Sequence, residues 1–174
     1  MMELNKLQLF ELIDKTVALL AKNDRLYSKA VPEITQILNS VLHEYDDELV
    51  DIHTRIKSPT SLKEKIIRNK LYKEYDSPEK ILDNLSDLIG IMIECRFNRN
   101  EVELFDILKK KFDQKNSDGM YYCPQYSNMY LDLKHEQPQK QKNGQEIYRI
   151  DGKYVLEGKS INFELQIKYF LVRN

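Results

Sequence analysis

A chain of 174 residues can bury one substantial hydrophobic core and is short for two domains. Its 41% hydrophobic and 32% charged content excludes a disordered chain, and a net charge of −1 excludes a global field drawing it to nucleic acid or membrane. Any anion site must therefore be local. The N-terminal MMELNKLQLFELIDK carries early acids and no uninterrupted apolar run, so it is neither a signal peptide nor a membrane span, and the expected location is cytoplasmic. Cys95 and Cys123 lack metal-ligand spacing; Cys95 lies in an apolar run and reads as a buried thiol.

In chain order, Phe10, Ile13, Val17 and Leu20 recur at helical spacing. So do Val31, Ile34, Leu38, Val41, Leu42, Tyr45 and Leu49, with Pro32 expected in the first turn. Residues 1–50 thus read as an N-terminal helical pair. DELVDIHTRI enters a short strand, and Ser58-Pro59 starts a helix whose buried stripe is Leu62, Ile66, Ile67 and Leu71. Ser77-Pro78 opens a short helix ending near Ser86. DLIGIMIECRF is a strand with Ile89, Ile91, Ile93, Cys95 and Phe97 on one face. Val102 to Phe112 is a helix, QKNSDG a turn and SNMYLDLK a strand. HEQPQKQKNGQ is a polar loop turning at Asn143-Gly144. EIYRI and KYVLEG suggest a hairpin turning at Asp151-Gly152. In the last strand Ile161, Phe163, Leu165 and Ile167 alternate with Asn162, Glu164, Gln166 and Lys168. No repeat or domain boundary shows. The expected fold is α/β (or α+β), one domain over 1–174, with a mixed β-sheet flanked by helices filling 51–174.

The chemistry concentrates in RIKSPTSLKEK. Between Arg55 and Lys73 stand seven basic residues against one acid, Glu64. Arg55 and Lys57 share a strand face, Ser58 and Ser61 lie at a helix N-terminus that favours anions, and Lys65 follows one turn on. A guanidinium fork, ammonium charges, hydroxyls and a helix end could together hold a polyphosphate. The alternative is a solvated basic helix face with a serine cap. Asp87 at the start of one strand and Glu164 on another are carboxylates of the kind a magnesium site uses, together with phosphates and water. Read singly, Asp87 could equally be a strand-start cap and Glu164 a solvated residue on an open sheet face.

These stretches resemble the RelA/SpoT synthetase family. RIKSPTSLKEK is similar to its Arg-Lys-Ser-Ser-Lys signature, DLIGIMI to its Asp-led β-run, KNGQ to its Asn-Gly turn and FELQIK to its Glu-x-Gln strand, all in family order from Arg55 to Lys168. The resemblance implies a nucleotidyltransferase-like fold. It implies transfer of pyrophosphate from ATP to the 3′-hydroxyl of GDP or GTP, giving (p)ppGpp and AMP. By it, Arg55, Lys57, Ser61 and Lys65 form the ATP side, which Ser58 joins at the helix end. Asp87 holds Mg²⁺, and Glu164 is the second metal-side carboxylate or activates the acceptor hydroxyl. Gln166 supports it, and Lys140, Lys142 and Asn143 lie near the acceptor.

Three features depart from the pattern. Met92 stands where the family has Arg. Gln145, Ile147 and Arg149 stand where it has a guanine-stacking Tyr, a Ser and a His; Tyr148 or Tyr154 is a conceivable replacement for the aromatic, and Tyr126 and Tyr130 are conceivable base-stacking groups. Finally, the chain stops at Asn174, where relatives continue into helices used for oligomerisation, which suggests a truncated or diverged form. A homo-oligomer is left open. Besides alarmone synthesis, two other functions stay open: a toxin modifying the tRNA 3′ end, and an inactive nucleotide-binding module. Nucleic acid is a partner only in the tRNA case.

Overall fold

The computed structural model describes residues 4–45 and 50–170. Two helices open the chain, α1 (Lys6–Lys22) and α2 (Asp24–Val41). Helix α1 begins with a reciprocal cap: the Gln8 N–H donates to Asn5 Oδ1 (2.9 Å) and the Asn5 N–H to Gln8 Oε1 (3.1 Å). Its buried stripe is Leu12, Ile13, Thr16 and Leu20, while Phe10 is exposed. Helix α2 starts eight residues before Pro32, not at it, because Leu26, Tyr27 and Ala30 extend the same buried stripe toward the N-terminus. Pro32 and Ser28 are both exposed, so the Ser28 carbonyl that loses its helical partner can be hydrated. Leu49 falls outside the described residues.

Next come β1 (Val50–Ile56), α3 (Pro59–Arg68), a 3₁₀ turn (Leu71–Lys73) and α4 (Pro78–Asp83). Leu62 and Ile66 of α3 are fully buried, whereas Ile67 is exposed. Each buried side chain contributes about 1.5–3 kcal/mol, which holds the helix against the sheet. Ile66→Ala should cost about 2–5 kcal/mol in urea unfolding, since a void at this site has no solvent access.

After β2 (Ile89–Cys95), helix α5 (Asn98–Lys111) begins four residues earlier than its apolar pattern predicts. The Phe97 N–H donates to the Asn100 side chain at 3.0 Å, and buried Asn100 donates to the Tyr45 hydroxyl at 2.6 Å. Phe97 and Val102 are exposed, so the inward face of β2 ends at Cys95, whose thiol burial pushes up to about 12. The first two residues of QKNSDG form the short strand β3 (Gln114–Lys115), so the turn starts at Asn116 and leads to β4 (Tyr121–Tyr122), followed by β5 (Met129–Leu131) and β6 (Gln139–Lys140). Two long strands, β7 (Glu146–Leu156) and β8 (Lys159–Tyr169), close the fold.

The sheet runs β1-β2-β8-β7-β5-β4-β3, with β6 pairing off β7. Among the described residues only β2 and β8 pair in parallel, so the sheet is mixed. The expected turn at Asp151-Gly152 lies inside continuous β7; the reversal comes instead at Glu157-Gly158, where both φ angles are positive (51° and 75°), as a two-residue hairpin turn requires. Gly152 serves packing: a Cβ there would lie 2.2 Å from the buried Phe163 ring, which occupies that space. Ile89, Ile91 and Ile93 of β2, Phe163, Leu165 and Ile167 of β8, and the helical stripes form one core. The opposite face of the central strands is polar.

Candidate active site

Strand register aligns two rows on that polar face. One runs Arg55–Gly90–Glu164–Asp151 across β1, β2, β8 and β7; the next runs His53–Met92–Gln166–Arg149. Gly90 leaves room for its neighbour: a Cβ at that position would meet Arg55 Nε at 2.9 Å. Arg55 can thus lie along the sheet surface, with Glu164 about 10 Å away across two strand spacings.

The basic junction is built locally. The Lys57 N–H donates to the Leu88 carbonyl (2.8 Å), extending the β1–β2 pairing by one residue. Ser58 then caps α3, its Oγ accepting from the Ser61 N–H at 3.2 Å, with Pro59 in the first turn. That bond uses the Ser61 N–H, so both serines stay exposed at the helix start with their hydroxyls as the groups to offer. Lys57 Nζ reaches Asp87 Oδ2 at 2.8 Å, and Lys65 Nζ, from the second turn of α3, reaches the same oxygen at 3.0 Å. The Lys57 and Asp87 side chains are only 10% and 12% exposed. Burial works against the Asp87 anion, but hydrogen bonds and charge from Lys57 and Lys65 outweigh it and hold the carboxyl below its ordinary value.

That depression makes stability depend on acid. The contribution is present above the unfolded carboxylate value of about 3.9 and is lost as pH falls through the lower folded value. Urea unfolding of wild type and Asp87→Asn should therefore differ at neutral pH, and the gap should narrow below about pH 4.

Asp87 Oδ1 is buried without a partner. Two ammonium groups on one carboxylate leave the junction net positive and its second carboxylate oxygen without a partner. Such a site suits a triphosphate and a cation held by a single protein oxygen. Among the described residues no group of three His, Cys, Asp or Glu is placed to hold a metal. Lys57→Ala should weaken binding of a triphosphate by about tenfold or more, while Lys65 keeps Asp87 paired and the fold intact; calorimetric titration with ATP and thermal melting measure the two effects separately.

Glu164 is buried rather than solvated, at 4% exposure. Arg149 Nη2 donates to its Oε2 and Gln166 Nε2 to its Oε1, both at 2.7 Å. Burial disfavours the charged Arg149 guanidinium, yet the hydrogen bond and charge of Glu164, with Asp151 and Asp87 behind it, raise its pKa above the usual value. Asp151 is pushed up by burial and then by the Glu164 charge.

Two cavities flank the Arg149–Glu164 pair. One, of about 350 Å³, is lined by Arg55, Gly90, Met92, Glu164 and Gln166 among others. The second, of about 480 Å³, is lined by Ser86, His135, Glu136, Gln139, Arg149 and Asp151. Lys140, Lys142 and Asn143 line neither. Lys140 pairs with Glu146, five residues along β7 from Asp151, and so about 17 Å along the strand from the Glu164 row. The other candidate aromatics are engaged elsewhere. Tyr148 is buried against Phe105, buried Tyr154 donates to Glu33 at 2.9 Å, Tyr130 packs on Tyr122, and Tyr126 packs partly buried against the core. In the sequence Arg149 is only a departure from the family pattern and Asp151 only half of a turn signal; the strand pairing that makes them neighbours of Glu164 carries no local signal.

A family model described as a region found in RelA / SpoT proteins matches residues 54–172. The chain belongs to the RelA/SpoT family. No curated protein matches its sequence. Among solved structures, a GTP pyrophosphokinase family protein from Streptococcus pneumoniae is 20% identical, with TM-score 0.57 over 83% of this chain and 66% of that one. The small alarmone synthetase 1 from Bacillus subtilis bound to its product pppGpp is 22% identical, with TM-score 0.58 over 83% of this chain and 69% of that one. The same enzyme bound to AMPCPP is 18% identical, with TM-score 0.55 over 83% and 66%. The open mixed sheet flanked by helices is their fold, and the chain spans about two thirds of their length. No described helix is long and apolar enough to cross a membrane.

Proposed function

We propose that this chain transfers the β,γ-pyrophosphate of ATP to the 3′-hydroxyl of GDP or GTP, forming (p)ppGpp and AMP. The observation that carries the reading is the double clamp on Asp87. Two lysines from the ends of one strand-to-helix junction share one carboxylate oxygen and leave the other buried and without a partner, and the Asp87 charge acts on Arg149, the partner of Glu164. Family membership and the nucleotide complexes of the similar structures support it.

Arg55, Lys57 and Lys65 would grip the triphosphate, with the Ser58 and Ser61 hydroxyls donating at the start of α3. Asp87 Oδ1 would hold Mg²⁺, which when bound supplies neutralising charge on the phosphates. The acceptor oxygen bonds to the ATP β-phosphorus, the bond from that phosphorus to the α,β-bridging oxygen breaks, and AMP leaves with that oxygen. The hydroxyl proton passes to Glu164. Gln166 keeps the carboxylate oriented.

The test is incubation with Mg²⁺ and γ-labelled ATP, with GDP, GTP or tRNA offered separately. Label on GDP or GTP is the expected result. Label on tRNA alone would replace the acceptor, and nucleotide binding without any transfer would leave an inactive module.

A further inference from the structure

The two cavities share a wall. Glu164 faces the first and Arg149 the second, and their 2.7 Å ion pair joins the two sides. Both Glu164 oxygens are engaged by donors, so the carboxylate meant to take a proton is masked. Arg149, in contrast, has donors to spare: a guanidinium carries five N–H groups, and its side chain is 44% exposed.

The Arg149 backbone is fixed. It pairs with Gln166 across β7 and β8, its N–H donates to Gln137 Oε1 (3.1 Å), and its carbonyl accepts from Gln137 (2.8 Å) and Gln139 (3.2 Å). The side chain can therefore change partner without the strand moving. Among the residues lining the second cavity, Arg149 is the only guanidinium or ammonium; Glu136 and Asp151 are acidic, and His135 lies 3.4 Å from Asp132. A phosphate entering that cavity has one strong cation to meet. Exchanging a carboxylate for a phosphate replaces one charge-assisted bond with another, and the bound phosphate must also offset the cost of leaving buried Glu164 with Gln166 as its remaining donor.

We propose that Arg149 binds the acceptor's phosphate and, in turning to it, releases Glu164, so that the carboxylate is unmasked only when an acceptor is present. The inference rests on the pyrophosphate-transfer reading. It follows that Arg149 also suppresses wasteful hydrolysis, in which water attacks the ATP β-phosphorus, AMP leaves and free pyrophosphate results.

Arg149→Ala and Arg149→Lys test it with GDP and with guanosine, which has the 3′-hydroxyl but no phosphate. In Arg149→Ala the KM for GDP should rise about tenfold or more, with the KM for ATP within about twofold and the KM for guanosine unchanged. AMP release without acceptor should increase, and Arg149→Lys should restore part of the GDP affinity. A loss of kcat with unchanged KM for GDP and no added hydrolysis would overturn the proposal, leaving Arg149 as a prop for Glu164. Calorimetric titration of GDP separates the two levels. If wild type transfers nothing, the reading fails, yet weaker GDP binding by Arg149→Ala still supports the phosphate contact; equal binding overturns it.

Discussion

Asp87→Asn is expected to abolish pyrophosphate transfer while leaving a folded protein. The substitution keeps the size of the side chain and an oxygen for Lys57 and Lys65, but removes the negative charge that orders both ammonium groups around Oδ2. It also neutralises Oδ1, the buried oxygen free to face a cation. Loss of one preorganised charge at a phosphoryl-transfer site costs about 10²–10³-fold, and here two functions go together, so the expected loss is about 10³-fold or more in kcat. Alanine is the harsher variant. It leaves two ammonium groups in a space where the Lys57 side chain is only 10% exposed, and such unpaired charge destabilises strongly. Steady-state transfer beside circular dichroism decides the matter. A folded Asp87→Asn protein with near wild-type turnover would remove Asp87 from the site.

Gly152→Ala should cost more stability than the same change at Gly90, where the nearest atom belongs to the flexible Arg55 side chain. The new Cβ would sit 2.2, 2.5 and 2.6 Å from three atoms of the Phe163 ring. The ring is fully buried among the residues of the core, so it has no free direction in which to retreat. Overpacking of this kind costs up to about 3 kcal/mol, or about 6–12 °C in Tm for a chain of this size. Pairing it with Phe163→Leu should recover part of the loss, because the clash is between these two positions alone. A Gly152→Ala protein that melts with wild type would mean that the ring can shift within the core.

The clash also explains why Asp151-Gly152 misleads as a sequence signal. Asp-Gly is a strong turn dipeptide, and nothing nearby contradicts it. The contradiction comes from Phe163, eleven residues on, whose ring claims the space over Gly152 once β7 and β8 pair. Arg149 and Glu164 become partners by the same register. Pro32 misled for a related reason: proline favours a first turn, but Leu26, Tyr27 and Ala30 had a core to bury in and carried α2 past it.

What the sequence determined by itself is what nearest neighbours decide. Ser58-Pro59 caps a helix, helical periodicity then sends Lys65 back toward Lys57, and alternation puts Glu164 and Gln166 on one face of β8. These effects act over a few residues and need no fold. Tertiary structure decided which faces meet. The Asp87 carboxylate between two lysines, the Arg149–Glu164 wall and the burial of Tyr148 and Tyr154 all depend on pairings between distant strands and on packing against one core. Register is set by the burial of whole strands at once, because a one-residue slip would turn every side chain of β8 to the other face.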